Sequence, residues 1–246
     1  MLEIKNLCFN VSAENESKDI INDLSLTIPD GKLVVITGPN GGGKSTTAKL
    51  IAGIEKPSSG RIFFDGTDIT DKSVTEIANL GISFAFQQPV RFKGITVFDL
   101  LKMATARKDL TITEACSYLS EVGLCAKDYV QREVNASLSG GELKRIEIAT
   151  ILARNTKLSI FDEPEAGIDL WSFKNLVGVF EHMREKDDHS ILIISHQERI
   201  LDIADEIIIL ANGNILKRGT KEEIMPELLK TTPLSFGCNK IEGGNE

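Results

Sequence analysis

The chain has 246 residues, 41% of them hydrophobic and 26% charged, with a formal net charge of −8. That length allows one large core, or one core with an inserted subdomain, and the acidic balance excludes a surface built for phosphate backbones, so no nucleic-acid partner is expected. No apolar run reaches the ~18–20 residues that cross a bilayer, and Met1-Leu2-Glu3-Ile4-Lys5-Asn6 has no apolar signal core. The expectation is a cytoplasmic chain with no direct membrane insertion, any membrane role coming through a partner. Cys8, Cys116, Cys125 and Cys238 form no C-x-x-C pair, which suits scattered reduced thiols rather than a metal site.

Residues 2–9 and 20–28 read as strands separated by a polar loop at 12–18, and Pro29-Asp30-Gly31 turns the chain into an apolar strand at 33–37. A helix is expected over 46–52, a turn at 56–60, a strand at 61–65 closed by Asp65-Gly66, and a short helix ending at Leu80 under the capping box Ser73…Glu76. After a strand at 81–86 the character changes. Periodicity predicts helices over 97–107 and 113–123, the second capped by Thr111…Glu114. Alternation then resumes: helix 141–154, strand 158–161, helix 170–183, strand 190–194, a helix from Gln197, a hairpin of 206–210 and 215–217 through Asn212-Gly213, and a last helix over 221–230. The Gly-rich end, 241–246, reads as disordered. With the motif G-x-x-x-x-G-K-[ST] at 38–46, between the strand at 33–37 and the helix at 46–52, the expected fold is α/β: a P-loop NTPase core, a mixed sheet with antiparallel N-terminal strands, and an inserted α-helical subdomain. The expected division is core over 1–88, helical insertion over 89–155, core again over 156–230, and a tail over 231–246.

Gly38-Pro39-Asn40-Gly41-Gly42-Gly43-Lys44-Ser45-Thr46 fits G-x-x-x-x-G-K-[ST] between a buried strand and a helix. Its glycines let successive N–H groups point inward at a polyphosphate, and the helix N-terminus adds about half a positive charge. Lys44 suits the β- and γ-phosphates and the Ser45 hydroxyl suits Mg²⁺; Gly38, Asn40, Gly41, Gly43 and Thr46 complete the cradle. Leu158-Ser159-Ile160-Phe161 ends in Asp162-Glu163. The carboxyl end of a parallel strand faces the ligand crevice, so Asp162 suits Mg²⁺ and Glu163 suits polarising the attacking water. Leu138-Ser139-Gly140-Gly141-Glu142 is both a capping box and a second glycine loop. Because 38–46 already surrounds one side of a nucleotide, this loop suits the nucleotide of another subunit.

The ordered set of phosphate loop, Gln87, Leu138–Glu142, Asp162-Glu163 and His196 in Ile194-Ser195-His196 resembles the ATP-binding cassette ATPases over roughly residues 1–229. The resemblance implies an ATPase that uses ATP and Mg²⁺ and forms a transient ATP-dependent homodimer. It implies that Gln87 links core to insertion and touches Mg²⁺ and water, that Ser139 and Gly141 meet the opposite subunit's γ-phosphate, that Asp169 lies in a loop crossing the dimer interface, and that His196 contacts the γ-phosphate. Val11 stands where many members stack a tyrosine on adenine, so base selectivity is not expected to rest on stacking. Phe86-Gln87-Gln88-Pro89-Val90 followed by Gly94, the segment 162–169, Val11, and the run from Ser195 to Leu201 look like the SufC-type ATPases of iron–sulfur cluster assembly; Gly41-Gly42-Gly43 and Leu143-Lys144-Arg145 depart mildly from the commonest cassette forms. The similarity puts a soluble SufB/SufD-like scaffold first as partner. The alternative is the ATP-binding subunit of a membrane transporter with transmembrane permease subunits. Lys44, Asp162, Glu163 and His196 together disfavour a non-catalytic cassette. Either partner is expected near 90–101, with Phe92 and Ile95 as exposed anchors and Val97 and Phe98 packed inside the insertion.

Overall fold

The computed structural model describes residues 1–13, 16–135, 137–185 and 188–230. Its centre is a six-stranded sheet of β3 (Leu33–Thr37), β6 (Ile82–Ala85), β7 (Leu158–Asp162), β8 (Ser190–Ile194), β9 (Glu206–Ala211) and β10 (Asn214–Gly219), ordered β10-β9-β3-β8-β7-β6. All neighbours pair parallel except β10, which returns antiparallel on β9. A second, antiparallel sheet contains β1 (Leu2–Ala13), β2 (Glu16–Ile28), β4 (Ser59–Phe64) and β5 (Thr67–Asp68), ordered β2-β1-β4-β5.

The period of two in β3 divides the core. Val34 and Ile36 face a cluster formed with the antiparallel sheet and with α1 (Lys44–Ile51) and α2 (Val74–Asn79). Leu33 and Val35 face the opposite cluster, built on α6 (Gly140–Arg154), α7 (Leu170–Arg184), α8 (Glu198–Asp202) and α9 (Lys221–Lys230). That cluster continues into the helical subdomain, where α3 (Val97–Thr105) and α4 (Ile112–Glu121) bury Val97, Leu101, Ala115 and Leu119 against α6. A short α5 (Ala126–Tyr129), absent from the sequence reading, joins α4 to the α6 loop.

Three local expectations change. Residues 12, 13 and 16–18 are strand rather than loop, because β1 and β2 continue pairing through Val11↔Lys18, Ser12↔Ser17 and Ala13↔Glu16; the ladder uses main-chain groups that polar residues carry as well. The helix from Val97 stops at Thr105 because Ala106 adopts the left-handed conformation, φ 53°. Phe92 and Ile95 are not exposed: the Phe92 N–H donates to the Val134 carbonyl, the Val134 N–H donates to the Ile95 carbonyl, and the Phe92 ring packs on the core. Val97 is buried and Phe98 packs beside it, as expected. The tail expected at 231–246 lies outside the described residues.

Candidate nucleotide site

The loop between β3 and α1 is shaped by glycine. At Gly38 φ is +132° and an added Cβ would fall 2.1 Å from the Leu210 carbonyl oxygen, so only glycine lets this loop lie against β9. Gly43 (φ 98°) precedes α1 without any side-chain cap, leaving the first-turn N–H groups to face an anion. The buried Lys44 ammonium donates to the carbonyls of Gly38 (2.8 Å) and Pro39 (2.9 Å). Burial lowers its pKa from the ordinary lysine value, with Glu163 and Asp162 pulling the other way. Gly41 (φ 76°) and the exposed Asn40 form the outer turn.

β7 carries its carboxylates to this loop. The Ser45 hydroxyl donates to Asp162 Oδ1 at 2.9 Å, and Asp162 is buried, which raises its pKa. Glu163 sits at φ 46°, a strained conformation for a side-chain-bearing residue, with its N–H donating to the Ile194 carbonyl. Gln87 Nε2 donates to Glu163 Oε2 at 2.6 Å. His196 Nδ1 lies 3.5 Å from Thr37 Oγ1, and burial, aided by the Lys44 charge, lowers the imidazole's pKa. Behind it the Ser195 hydroxyl donates to Glu165 Oε1 at 2.6 Å while accepting the Gln197 N–H, joining the loops after β7 and β8. This Ser195–Glu165 tie was not singled out from sequence.

Lys44, Ser45, Gln87, Asp162, Glu163 and His196 thus converge within one chain. Ser139 and Gly141 are engaged elsewhere. Ser139 caps α6, exchanging bonds with Glu142, and an added Cβ at Gly141 would lie 3.2 Å from the Gly167 carbonyl oxygen, so this loop abuts the one ending in Asp169. Hydrogen bonds from Tyr129 and the Ser139 N–H hold the Glu142 carboxyl down at about 2. Asp169 caps α7 through the N–H groups of Trp171 and Ser172, which leaves Leu170 68% and Trp171 83% exposed. Val11, also exposed, shares a depression of about 500 Å³ with Phe9, Thr46 and Lys49.

Two residues of α6 that sequence reasoning missed connect this site to the subdomain. Lys144 is fully buried, and its ammonium donates to the carbonyls of Phe86 and Gln87, each at 2.7 Å. One turn on, Glu147 Oε1 accepts the Phe86 N–H at 3.0 Å. Glu147 lines a cavity of about 160 Å³ with Phe84, Val90, Phe92, Leu100 and Leu143, at whose edge Val90 is 47% and Phe86 38% exposed. An acidic or basic residue one or two turns past Gly141 was the available signal, since a charge at a core-facing position of a helix calls for a partner.

The chain matches the ABC transporter family over residues 21–166. It is 40% identical over 215 residues to an uncharacterised ABC transporter ATP-binding protein of Methanocaldococcus jannaschii, covering 85% of this chain and 86% of that one. It is 32% identical to the lipopolysaccharide export system ATP-binding protein of Haemophilus influenzae, covering 88% and 90%. A dimeric ATP-binding cassette bound to ADP and Pi shares the fold, with a TM-score of 0.81 at 24% identity over 90% of this chain and 99% of that one. With the phosphate loop, the two carboxylates and the helical subdomain in one arrangement, this chain belongs to the ABC transporter family as an ATP-binding cassette ATPase.

Proposed function

We propose that the chain binds MgATP between two copies of itself and uses hydrolysis to drive a membrane permease docked beside Gln87. The observation that carries this reading is the double engagement of Gln87. Its side chain holds Glu163, and its backbone carbonyl is held by Lys144 of the helical subdomain, next to the Val90 cavity. A movement of the docked partner therefore reaches Glu163 through two hydrogen bonds.

The residues suit the cofactor. Lys44 is a buried cation surrounded by oxygens, and Ser45 and Asp162 are hard oxygen donors fit for Mg²⁺, which binds through one or two protein oxygens plus phosphate. Mg²⁺ supplies charge neutralisation on the phosphates. Lys44 and the N-terminus of α1 hold those phosphates, with Gly38, Asn40, Gly41, Gly43 and Thr46 shaping the cradle and Val11 covering a base face by apolar contact alone. Glu163 accepts the water's proton, Gln87 orients it, and His196, kept neutral by burial, donates to the γ-phosphate. Ser139 and Gly141 complete the other copy's site, a reading supported by their contacts within one chain, which are to Glu142 and Gly167.

For the partner, the order set by sequence similarity is reversed. The relatives described above are named as transporter ATP-binding proteins, which favours a permease over a SufB/SufD-like scaffold. The support for a scaffold is the local sequence at 86–90 with Gly94, at 162–169 and at 195–201, together with Val11. No helix among the described residues is long and apolar enough to cross a membrane, so bilayer contact would come through the partner. The test is to solubilise washed membranes with detergent and recover the tagged chain. Recovery with a multi-spanning membrane protein supports the reading, and recovery before detergent with a soluble scaffold alone overturns it.

A further inference from the structure

The groove beside Gln87 holds one charged group that nothing in the nucleotide chemistry requires. Glu147 uses Oε1 to accept the Phe86 N–H, but its buried Oε2 has no hydrogen-bond partner among the described residues. The nearest donors on the same helix are directed elsewhere. Lys144 Nζ reaches the carbonyls of Phe86 and Gln87, and the Thr150 hydroxyl donates to Glu147's own backbone carbonyl at 2.6 Å. The rest of the cavity wall is mostly apolar: Phe84, Val90, Phe92, Leu100 and Leu143. In these surroundings burial pushes the Glu147 carboxyl up to about 7.

Oε2 is already shut from water, and a neutral apolar segment closing over the cavity would keep it without a donor, which is disfavoured for the ionised carboxyl. A cation entering with the segment would reverse the effect, because a charge-assisted bond strengthens where water is excluded. The Phe86 N–H does not require a carboxylate, since a glutamine oxygen could also accept it.

We propose that Glu147 is the specificity-determining residue of this groove, receiving an arginine or lysine side chain from the apolar segment that docks there. This deepens the permease reading and rests on it for the partner's class. The occupant it specifies is an amphipathic segment with apolar anchors for the Val90–Phe92–Leu100 wall and one cation among them, on a chain whose own net charge is −8.

The experiment uses two capped amphipathic helical peptides of about 14 residues with leucine anchors at i, i+3, i+4 and i+7. One has a single central arginine, and its twin has the neutral isostere citrulline at that position. Both are titrated by fluorescence anisotropy against the full chain and against Glu147→Gln. The arginine peptide should bind the native chain about tenfold tighter than its twin, and the preference should fall to within about twofold in Glu147→Gln. Equal affinities for the native chain, no binding of the arginine peptide, or a preference that survives in Glu147→Gln would each overturn the proposal. The twin comparison on the native chain needs no variant to fold. A permease that copurifies with Glu147→Gln as firmly as with the native chain overturns this inference and leaves the permease reading standing. A native chain recovered without any permease overturns that reading instead, and the peptide twins still decide this one.

Discussion

The nucleotide site and the groove beside α6 treat their charges in opposite ways. Around the phosphate loop the polar groups meet one another: Lys44 bonds to Gly38 and Pro39, Ser45 to Asp162, and Gln87 to Glu163. In the groove, Glu147 keeps an oxygen for which the described residues supply no donor. A ligand at the first must exchange bonds that already exist, so its net gain is a difference between similar quantities. A cation at the second displaces no hydrogen bond of Oε2 and offsets only its own loss of hydration. Reversible turnover suits the first arrangement, and recognition of one partner suits the second.

The sharpest way to break this comparison is at Glu163. Glu163→Gln keeps the shape and the link to Gln87 but removes the proton acceptor, so ATP hydrolysis should fall by about 10²–10⁴-fold while nucleotide binding persists. Turnover near the native rate, measured by phosphate release, would remove Glu163 from that role. The two-copy site is tested by mixing Lys44→Ala with Ser139→Arg protein, each inactive alone. One site in each mixed dimer keeps both intact halves, so activity should return, and a mixture as inactive as its components would count against Ser139 acting across the interface.

A smaller effect is expected at Lys144→Met, which leaves the carbonyls of Phe86 and Gln87 without their donor. Loss of two charge-assisted bonds should lower the melting temperature by several degrees and hydrolysis by about tenfold, with ATP affinity little changed. Unchanged melting and turnover would mean that Lys144 does not hold Gln87 in place. The smallest effect sharpens the contrast. Glu147 has a folded pKa of about 7 against an ordinary 4.5, so its contribution to stability is full below 4.5 and is lost as pH rises through 7. Glu147→Gln lacks that loss and should melt a few degrees above the native chain near pH 8, by at most about 3 kcal/mol, with the gap closing toward pH 5. A gap independent of pH would show that the carboxyl is not the cause.

The features legible in sequence are those fixed by neighbours in sequence. Ser73 with Glu76, Thr111 with Glu114, and Ser139 with Glu142 form capping boxes because each needs only a three-residue spacing. The phosphate loop and the acids ending β7 were readable for the same reason. Lys144 and Glu147 were not, because their partners come from Phe86 and Gln87, some sixty residues earlier. Phe92 and Ile95 misled because an aperiodic stretch looked exposed, whereas residues 92–98 lie along 130–134, bridged at Thr96↔Glu133. Residue pattern did not disclose that pairing, since it depends on main-chain groups that every residue carries.

Trp171 is the single tryptophan of the chain, and it stands almost wholly in water on the first turn of α7, two residues beyond Asp169. An indole in water emits at longer wavelength than one covered by protein. Whatever covers that turn, a second copy or a partner, would shift the emission to the blue with no competing indole to mask it. The molecule therefore carries a built-in optical gauge beside the loop that ends in Asp169, read in real time with the native sequence and no attached dye.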